Sequence, residues 1–265
     1  MKFPDFHGSS VVVTGASGGI GSGIAQTFAE AGASVLITYR SGRERAEHLT
    51  ERIRARGGEA AAFQLDLNDS EQVSGFFSQA GGYGRPLKYL INNAGVYPVT
   101  PLQELGEEEW STVLRTNLDT VYRCTREFAL HVERNEADGN SQWTSGGARP
   151  AVVNIASIEG NLPAPGHAHY GASKAGVIAF TKAAAVEFGP HIRVNSVSPG
   201  LVGRDRIGEE WPEGVERYRS ASPLSTIGEP EDVAFTCLFL CSSWAKWITG
   251  ENVVVDGGVG ALMSW

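Results

Sequence analysis

Apolar positions along this chain follow two alternating rhythms. Near the N-terminus "SSVVVT" is an unbroken β-branched run, "GASGGIG" follows, and "IAQTFAEAGA" then carries apolar residues at helical spacing. This predicts a strand at about 10–14, a helix at about 19–31 and a strand at about 34–40, a βαβ unit. The rhythm continues with a helix over 43–56 that lines up Ala46, Leu49 and Ile53, a strand "AAAFQLD", a helix from Asp69, a strand "KYLINNAG" and a long helix near 107–133. Strand "AVVNIAS", helix 169–188, strand "IRVNSVSPG", helix 231–241 and strand "NVVVDGG" complete it. Several strands are continuous apolar runs, as when helices cover both faces of a parallel sheet. The expected fold is α/β: one doubly wound, seven-stranded parallel sheet in a single domain spanning 1–265.

Two segments break the rhythm. The polar, glycine-bearing "RNEADGNSQWTSGGAR" (134–149) reads as a surface insertion between a helix and a strand. Residues 201–222 lie beyond a strand's C-terminal end, where open α/β sheets place ligands, and are the candidate lid.

Composition narrows the function. Apolar residues make up 42% and charged ones 20%, with 33 glycines, which suits an ordered protein with many tight turns. A net charge of −8 provides no positive field for nucleic acid or anionic lipid. "MKFPDFHGSS" lacks the apolar core of a signal peptide, and no run approaches the roughly 18 apolar residues of a membrane span. A cytoplasmic protein without nucleic-acid or membrane partners is expected. Cys124, Cys237 and Cys241 lack metal-ligand spacing and read as buried free thiols, so no metal is expected.

"TGASGGIG" stands at the junction of the first strand and helix. Gly15 takes the tight turn, Gly19 lets backbone approach a pyrophosphate, Gly21 allows close helix packing, and the helix N-terminus offers free N–H groups to the anion. Ser17 and Ile20 complete the candidate contacts in this turn. An acidic ribose ligand belongs at the end of the second strand, yet "ITYRSGR" has Tyr39, Arg40 and Ser41 there and no carboxylate. Arg40, helped by Ser41 and Arg43, would attract a 2′-phosphate, which favours NADP(H) while leaving NAD(H) possible. As the alternative, Arg40 is a solvated flanking arginine.

In "GHAHYGASKAG", Tyr170 and Lys174 stand four apart, so on a helix they share a face. A free phenol, with a pKa of about 10, is too weak an acid for neutral pH. A neighbouring ammonium and an oxidised nicotinamide, both cationic, are expected to bring it down. Tyr170 then gives a proton to a carbonyl oxygen or takes one from an alcohol, and Ser157 donates a hydrogen bond to the same oxygen. Taken singly, Tyr170 reads as a packed aromatic, Ser157 as a turn residue and Asn117 as a solvent-facing amide.

Together, "TGASGGIG", "NNAG" at 92–95, Asn117 in "RTNLDTVY", Ser157 in "IASIEG", "YGASK" at 170–174 and "SPG" at 198–200 resemble the classical short-chain dehydrogenases/reductases, in order along nearly the whole chain. The resemblance implies a Rossmann-like subunit that moves hydride between NAD(P)(H) and a carbonyl or alcohol. It implies a tetrad of Asn117, Ser157, Tyr170 and Lys174, with Asn117 holding a relay water and Lys174 the nicotinamide ribose. It further implies adenine contacts from Asp66 and Leu67, cofactor contacts from Asn93, Ala94 and Gly95, and a nicotinamide cradle of Pro199, Gly200 and Val202. The family often has threonine where this chain has Arg204. The apolar tail "GGVGALMSW" implies a homotetramer.

Candidate substrate walls are Glu159, Asn161 and Leu162, His167 and His169, and Trp211 and Tyr218 in the lid. Glu159 and Asn161 suit hydroxyl groups, which points to a sugar, polyol or cyclic ketone. The sequence leaves open a 3-oxoacyl-carrier-protein reductase and, more remotely, a cofactor-sensing protein of the same fold.

Overall fold

The computed structural model describes residues 4–83, 85–138 and 149–261. Strands β1 (Ser10–Val13), β2 (Ser34–Tyr39), β3 (Glu59–Gln64), β4 (Leu87–Asn92), β5 (Ala151–Ile155), β6 (Arg193–Pro199) and β7 (Asn252–Val255) pair in the order β3-β2-β1-β4-β5-β6-β7. Every pairing is parallel. The order reverses between β1 and β4, so the loops leaving those two strands diverge and open a crevice at the sheet's C-terminal edge.

The strand pleat sorts the core into two layers. Val11, Val13, Val35, Ile37, Tyr89, Ile91 and Val153 meet helices α1 (Gly19–Glu30), α2 (Arg43–Ala55) and α9 (Pro230–Cys241). Their neighbours Val12, Leu36, Leu90 and Val152 face the opposite way, toward α3 (Ser70–Ala80), α5 (Thr120–Ala137) and α6 (Ala168–Phe188). All seven expected strands form, but most end sooner than the apolar runs do. Beyond Val13, Asn92 and Ile155 the chain leaves the ladder to build the site's loops.

The expected long helix over 107–133 is interrupted. Helix α4 (Glu107–Leu114) passes into one turn of π-helix at Arg115–Asp119 before α5 resumes and runs to Ala137. The polar stretch expected as a loop over 134–149 therefore begins as helix, because α5 carries its i→i+4 bonding through Ala137; 139–148 lie outside the described residues. The candidate lid holds two short helices, α7 (Ile207–Glu210) and α8 (Pro212–Ala221). Of the C-terminal tail, 262–265 lie outside the described residues. Among the described residues, no helix is long and apolar enough to cross a membrane.

Candidate active site

The turns after β1 and β4 are laced together. Thr14 Oγ1 accepts from the Asn93 and Ala94 N–H groups at 2.9 and 3.1 Å, and Asn93 Nδ2 donates to Thr14 O at 3.0 Å and Gly15 O at 3.2 Å. Gly15 has φ +63°, and a Cβ there would lie 2.8 Å from Ala94 Cα, so the two turns touch backbone to backbone. At Gly21 a Cβ would meet Asn93 Nδ2 at 2.5 Å. Gly19, by contrast, has φ +53° and open space around its α-carbon. Helix α1 starts there with Gly18 as N-cap and no side chain on its first N–H groups. Free donors, the positive end of a helix and an open approach fit the pyrophosphate of a dinucleotide. Ile20 is partly buried against the core.

At the end of β2 one expectation is corrected. Tyr39 is buried in the core on the same strand face as Val35 and Ile37, so its ring is unavailable to a ligand. Arg40 and Ser41 follow it, both exposed. Arg43 turns to Glu47, 3.9 Å away. The guanidinium that instead faces the glycine turn is Arg45, which the sequence did not single out: a Cβ at Gly42 would meet both Ser17 Oγ (2.9 Å) and Arg45 Nη2 (3.2 Å). The chain past β3 lies beside this end, with Gln64 Nε2 donating to Arg40 O at 3.1 Å; Asp66 accepts from Asn68 N–H at 2.9 Å, and Leu67 is buried in the core.

The four tetrad positions converge at the ends of β4 and β5. Asn117 lies in the π-turn, fully buried; its Oδ1 accepts from Val96 N–H (2.8 Å) and its Nδ2 donates to Val96 O (2.8 Å) and Ser173 Oγ (3.1 Å). Its amide thus clamps the loop after β4 onto α6. A Cβ at Gly95 would lie 3.0 Å from Asn117 Oδ1 and 3.7 Å from Lys174 Nζ, which measures how closely these groups crowd. Lys174 is buried, donates to Ile155 O at 2.8 Å, and holds Nζ 5.7 Å from the centroid of the Tyr170 ring.

Burial sets the protonation of this pair. It pushes the Lys174 ammonium down to about 8. It pushes the Tyr170 phenol up to about 12, a shift that a hydrogen bond from Ser157 opposes and the charges of Glu159 and Tyr97 reinforce. Desolvation therefore outweighs any lowering of Tyr170 by Lys174, whose hydrogen bond goes to Ile155. Ser157 is buried at the mouth of β5, where its Oγ also accepts from Glu159 N–H at 3.1 Å.

The substrate-side candidates divide. His167 Nδ1 lies 2.7 Å from Glu159 Oε2, and the His167 ring meets the Tyr170 ring edge-on at 6.0 Å, so these two residues stand beside the phenol. His169 does not line the cleft: it is fully buried and turns toward α4, with Nε2 3.5 Å from Glu109 Oε1. Asn161 is exposed just past a short 3₁₀ turn at Ile158–Gly160, and Leu162 is half exposed. Tyr218 is committed elsewhere, donating to Asp256 O at 2.9 Å. Trp211 packs within the lid, against Gly214 and 5.6 Å from the Arg217 guanidinium, and is not brought to Tyr170. Tyr97, which the sequence passed over although it stands two residues after "NNAG", meets the Tyr170 ring at 6.4 Å and hydrogen-bonds to Arg204, which is itself paired to Glu210 at 2.5 Å.

Pro199 ends β6, and Gly200 donates from its N–H to Val255 O at 2.9 Å. Val202 forms a parallel bridge with Gly228, which fixes the root of the lid.

A family model described as enoyl-(acyl carrier protein) reductase matches residues 15–260. A 3-oxoacyl-(acyl-carrier-protein) reductase of Staphylococcus aureus is 36% identical over 251 residues, covering 94% of this chain and 97% of that protein. A 3beta-hydroxysteroid dehydrogenase of Eggerthella lenta is 34% identical over 260 residues, covering 97% and 95%. Among solved structures, a short-chain dehydrogenase/reductase described as a glucose/ribitol dehydrogenase, from Brucella melitensis, superposes with a TM-score of 0.86 at 27% identity, covering 99% of this chain and all of that one. With its sheet order, its glycine turn and these matches along nearly its whole length, the chain belongs to the short-chain dehydrogenase/reductase family and is an oxidoreductase.

Proposed function

We propose that the protein is an NADP(H)-preferring oxidoreductase that moves hydride between the nicotinamide and a small carbonyl or secondary alcohol, of the sugar, polyol or cyclic-ketone kind. The observation that carries this is the convergence of Ser157, Tyr170 and Lys174 with a polar Glu159–His167 pair on the substrate side. When bound, NADP(H) supplies the hydride. The glycine turn and the start of α1 would hold its pyrophosphate, and Arg40, Ser41 and Arg45 its 2′-phosphate. Tyr170 exchanges the proton with the substrate oxygen while Ser157 hydrogen-bonds to that oxygen.

A second reading, reduction of a 3-oxoacyl thioester on a carrier protein, draws support from the Staphylococcus aureus relative. The net charge of −8 opposes docking of an acidic carrier. Oxidation of NADPH and NADH, followed over sugars, cyclic ketones and 3-oxoacyl thioesters with Tyr170→Phe as control, separates the two. A preference for NADH, or turnover confined to thioesters, would refute the first.

The same proposal includes a homotetramer and a cytoplasmic setting. Phe235 and Phe239 on α9 and Val254 on the edge strand β7 are exposed apolar groups suited to a second copy, and buried free thiols suit a reducing compartment. Light scattering that returned a monomer at micromolar concentration would exclude the tetramer.

A further inference from the structure

We propose that Glu159 and His167 form a hydroxyl-reading dyad: His167 Nε2 accepts a hydrogen bond from a substrate hydroxyl adjacent to the reacting carbon, with Glu159 as the residue that positions the ring. The inference rests on the oxidoreductase reading above and names its substrate class, α-hydroxy ketones and the corresponding vicinal diols.

The first support is the tautomer. A carboxylate only accepts, so the 2.7 Å contact between Glu159 Oε2 and His167 Nδ1 requires the proton on Nδ1. In the neutral ring Nε2 is then a lone-pair acceptor.

The second support is the missing partner. His167 Nε2 is buried and has no hydrogen-bond partner among the described residues. A polar atom left so is destabilising, and a ligand hydroxyl relieves it. The third is position. The ring lies 6.0 Å from the Tyr170 ring, and Glu159 Oε2 is near enough to act on the Tyr170 phenol by its charge. The imidazole thus stands beside the phenol, and the proposal puts the hydroxyl on the carbon next to the reacting one against it. Glu159 itself is held by Ser157, whose Oγ accepts its N–H at 3.1 Å, so the dyad and the proton donor share one scaffold.

A site built to bind a hydroxyl rejects the analogue that lacks it, because its polar atom stays unpaired. The test compares 2-hydroxycyclohexanone with cyclohexanone, as the ratio of their kcat/KM values, in the wild type, in His167→Phe and in Glu159→Gln. Taking the ratio of ratios cancels the intrinsic reactivity of the hydroxy ketone. The expected fall is about tenfold or more in His167→Phe, with a smaller fall in Glu159→Gln, where the ring loses its orientation. A ratio unchanged within about twofold in both variants overturns the proposal, whatever the absolute rates.

A second measurement is independent of turnover and of variant folding. Nitrogen-15 spectra of the wild-type holoenzyme should show His167 protonated at Nδ1, with an Nε2 signal that moves on adding 2-hydroxycyclohexanone and stays on adding cyclohexanone. In Glu159→Gln the Nδ1 tautomer should no longer be fixed. An Nε2-protonated ring in the wild type, or equal responses to both ketones, overturns it. If the wild type reduces neither ketone but does reduce a 3-oxoacyl thioester, the parent reading has failed and the dyad falls with it; an unchanged ratio with active ketone reduction refutes the dyad alone.

Discussion

Lys174 sits beneath the ring of Tyr170, its Nζ 5.7 Å from the ring centroid, and spends a hydrogen bond on the Ile155 carbonyl at 2.8 Å. A lysine held this way is costly to the fold. Its pKa falls from 10.5 to about 8, so at pH 7 the buried charge costs about 3 kcal/mol. Lys174→Met removes that cost and orphans the Ile155 carbonyl at about 1 kcal/mol, leaving a net gain of about 2 kcal/mol with loss of activity. The sign with pH follows from proton counts. Between about 8 and 10.5 the unfolded lysine holds its proton and the folded one does not, so wild-type stability rises with pH across that window. The advantage of Lys174→Met should be full below pH 8 and should have become a deficit of about 1 kcal/mol by about pH 10.5. Urea unfolding of the cofactor-free proteins at several pH values checks this, and a destabilised variant at pH 7 would contradict it.

Glu159 opposes ionisation of Tyr170. Its charge adds to burial in raising the phenol to about 12, against the pull of Ser157. Glu159→Gln removes a negative neighbour, so the phenolate should form at lower pH. Alcohol oxidation needs that phenolate as base, so the rising limb of the oxidation rate should move to lower pH as well. The absorbance difference between each protein and its Tyr170→Phe counterpart, followed through alkaline titration, isolates this one phenol. A limb that stays in place, or moves upward, would mean that Glu159 exerts no field there.

At the end of β2, Arg40 and Arg45 are predicted to share the 2′-phosphate. Arg45 faces Ser17 and Gly42, whereas Arg43 is engaged by Glu47. A charge-assisted hydrogen bond contributes about 1.5–3 kcal/mol, so Arg45→Ala and Arg40→Ala should each weaken NADPH binding by about tenfold or more. NADH, lacking that phosphate, should bind within about twofold of wild type, and Arg43→Ala should change neither. Fluorescence titration of the two reduced cofactors reads this directly. Equal losses for both cofactors would assign the arginines to general electrostatics.

The parts legible in the sequence are those with a local signature. Strand rhythm, the glycine turn and the spacing of Ser157, Tyr170 and Lys174 all come from one stretch of chain or one helix face. What stayed hidden depends on partners distant in sequence. Asn92 Nδ2 bridges Thr125 Oγ1 and Asn154 Oδ1, and Asn154 Nδ2 reaches Thr181 Oγ1, a buried polar chain spanning β4, β5, α5 and α6 that no periodicity announces. Buried Arg193 donates to Leu240 O, Cys241 O and Ser242 O at 2.5–3.3 Å, closing the C-terminus of α9 from the start of β6, next to the sheet's edge. His169 illustrates the converse error: adjacent to Tyr170 in sequence, it points elsewhere because neighbouring helix positions are about 100° apart.

Gly200 and Tyr218 supply the last prediction. The hydroxyl of Tyr218 on α8 crosses to Asp256 O just past β7, at 2.9 Å, and ties the lid to the sheet. It passes directly over Gly200: a Cβ there would overlap the Tyr218 hydroxyl and lie 2.9 Å from Asp256 Cβ. Gly200 is thus glycine for clearance. Gly200→Ala should expel the Tyr218 ring and free α8, whereas Tyr218→Phe removes one hydrogen bond, worth about 1 kcal/mol, and leaves the ring in place. Trypsin cleavage at Arg217 and Arg219 in α8 reports the difference, with Gly200→Ala cut much faster than wild type and Tyr218→Phe only slightly faster. In Gly200→Ala/Tyr218→Ala the overlap is gone, so the double variant should be no more susceptible than Tyr218→Ala alone. Additive susceptibility would show that the two residues act separately, and that the lid is tied down by other contacts.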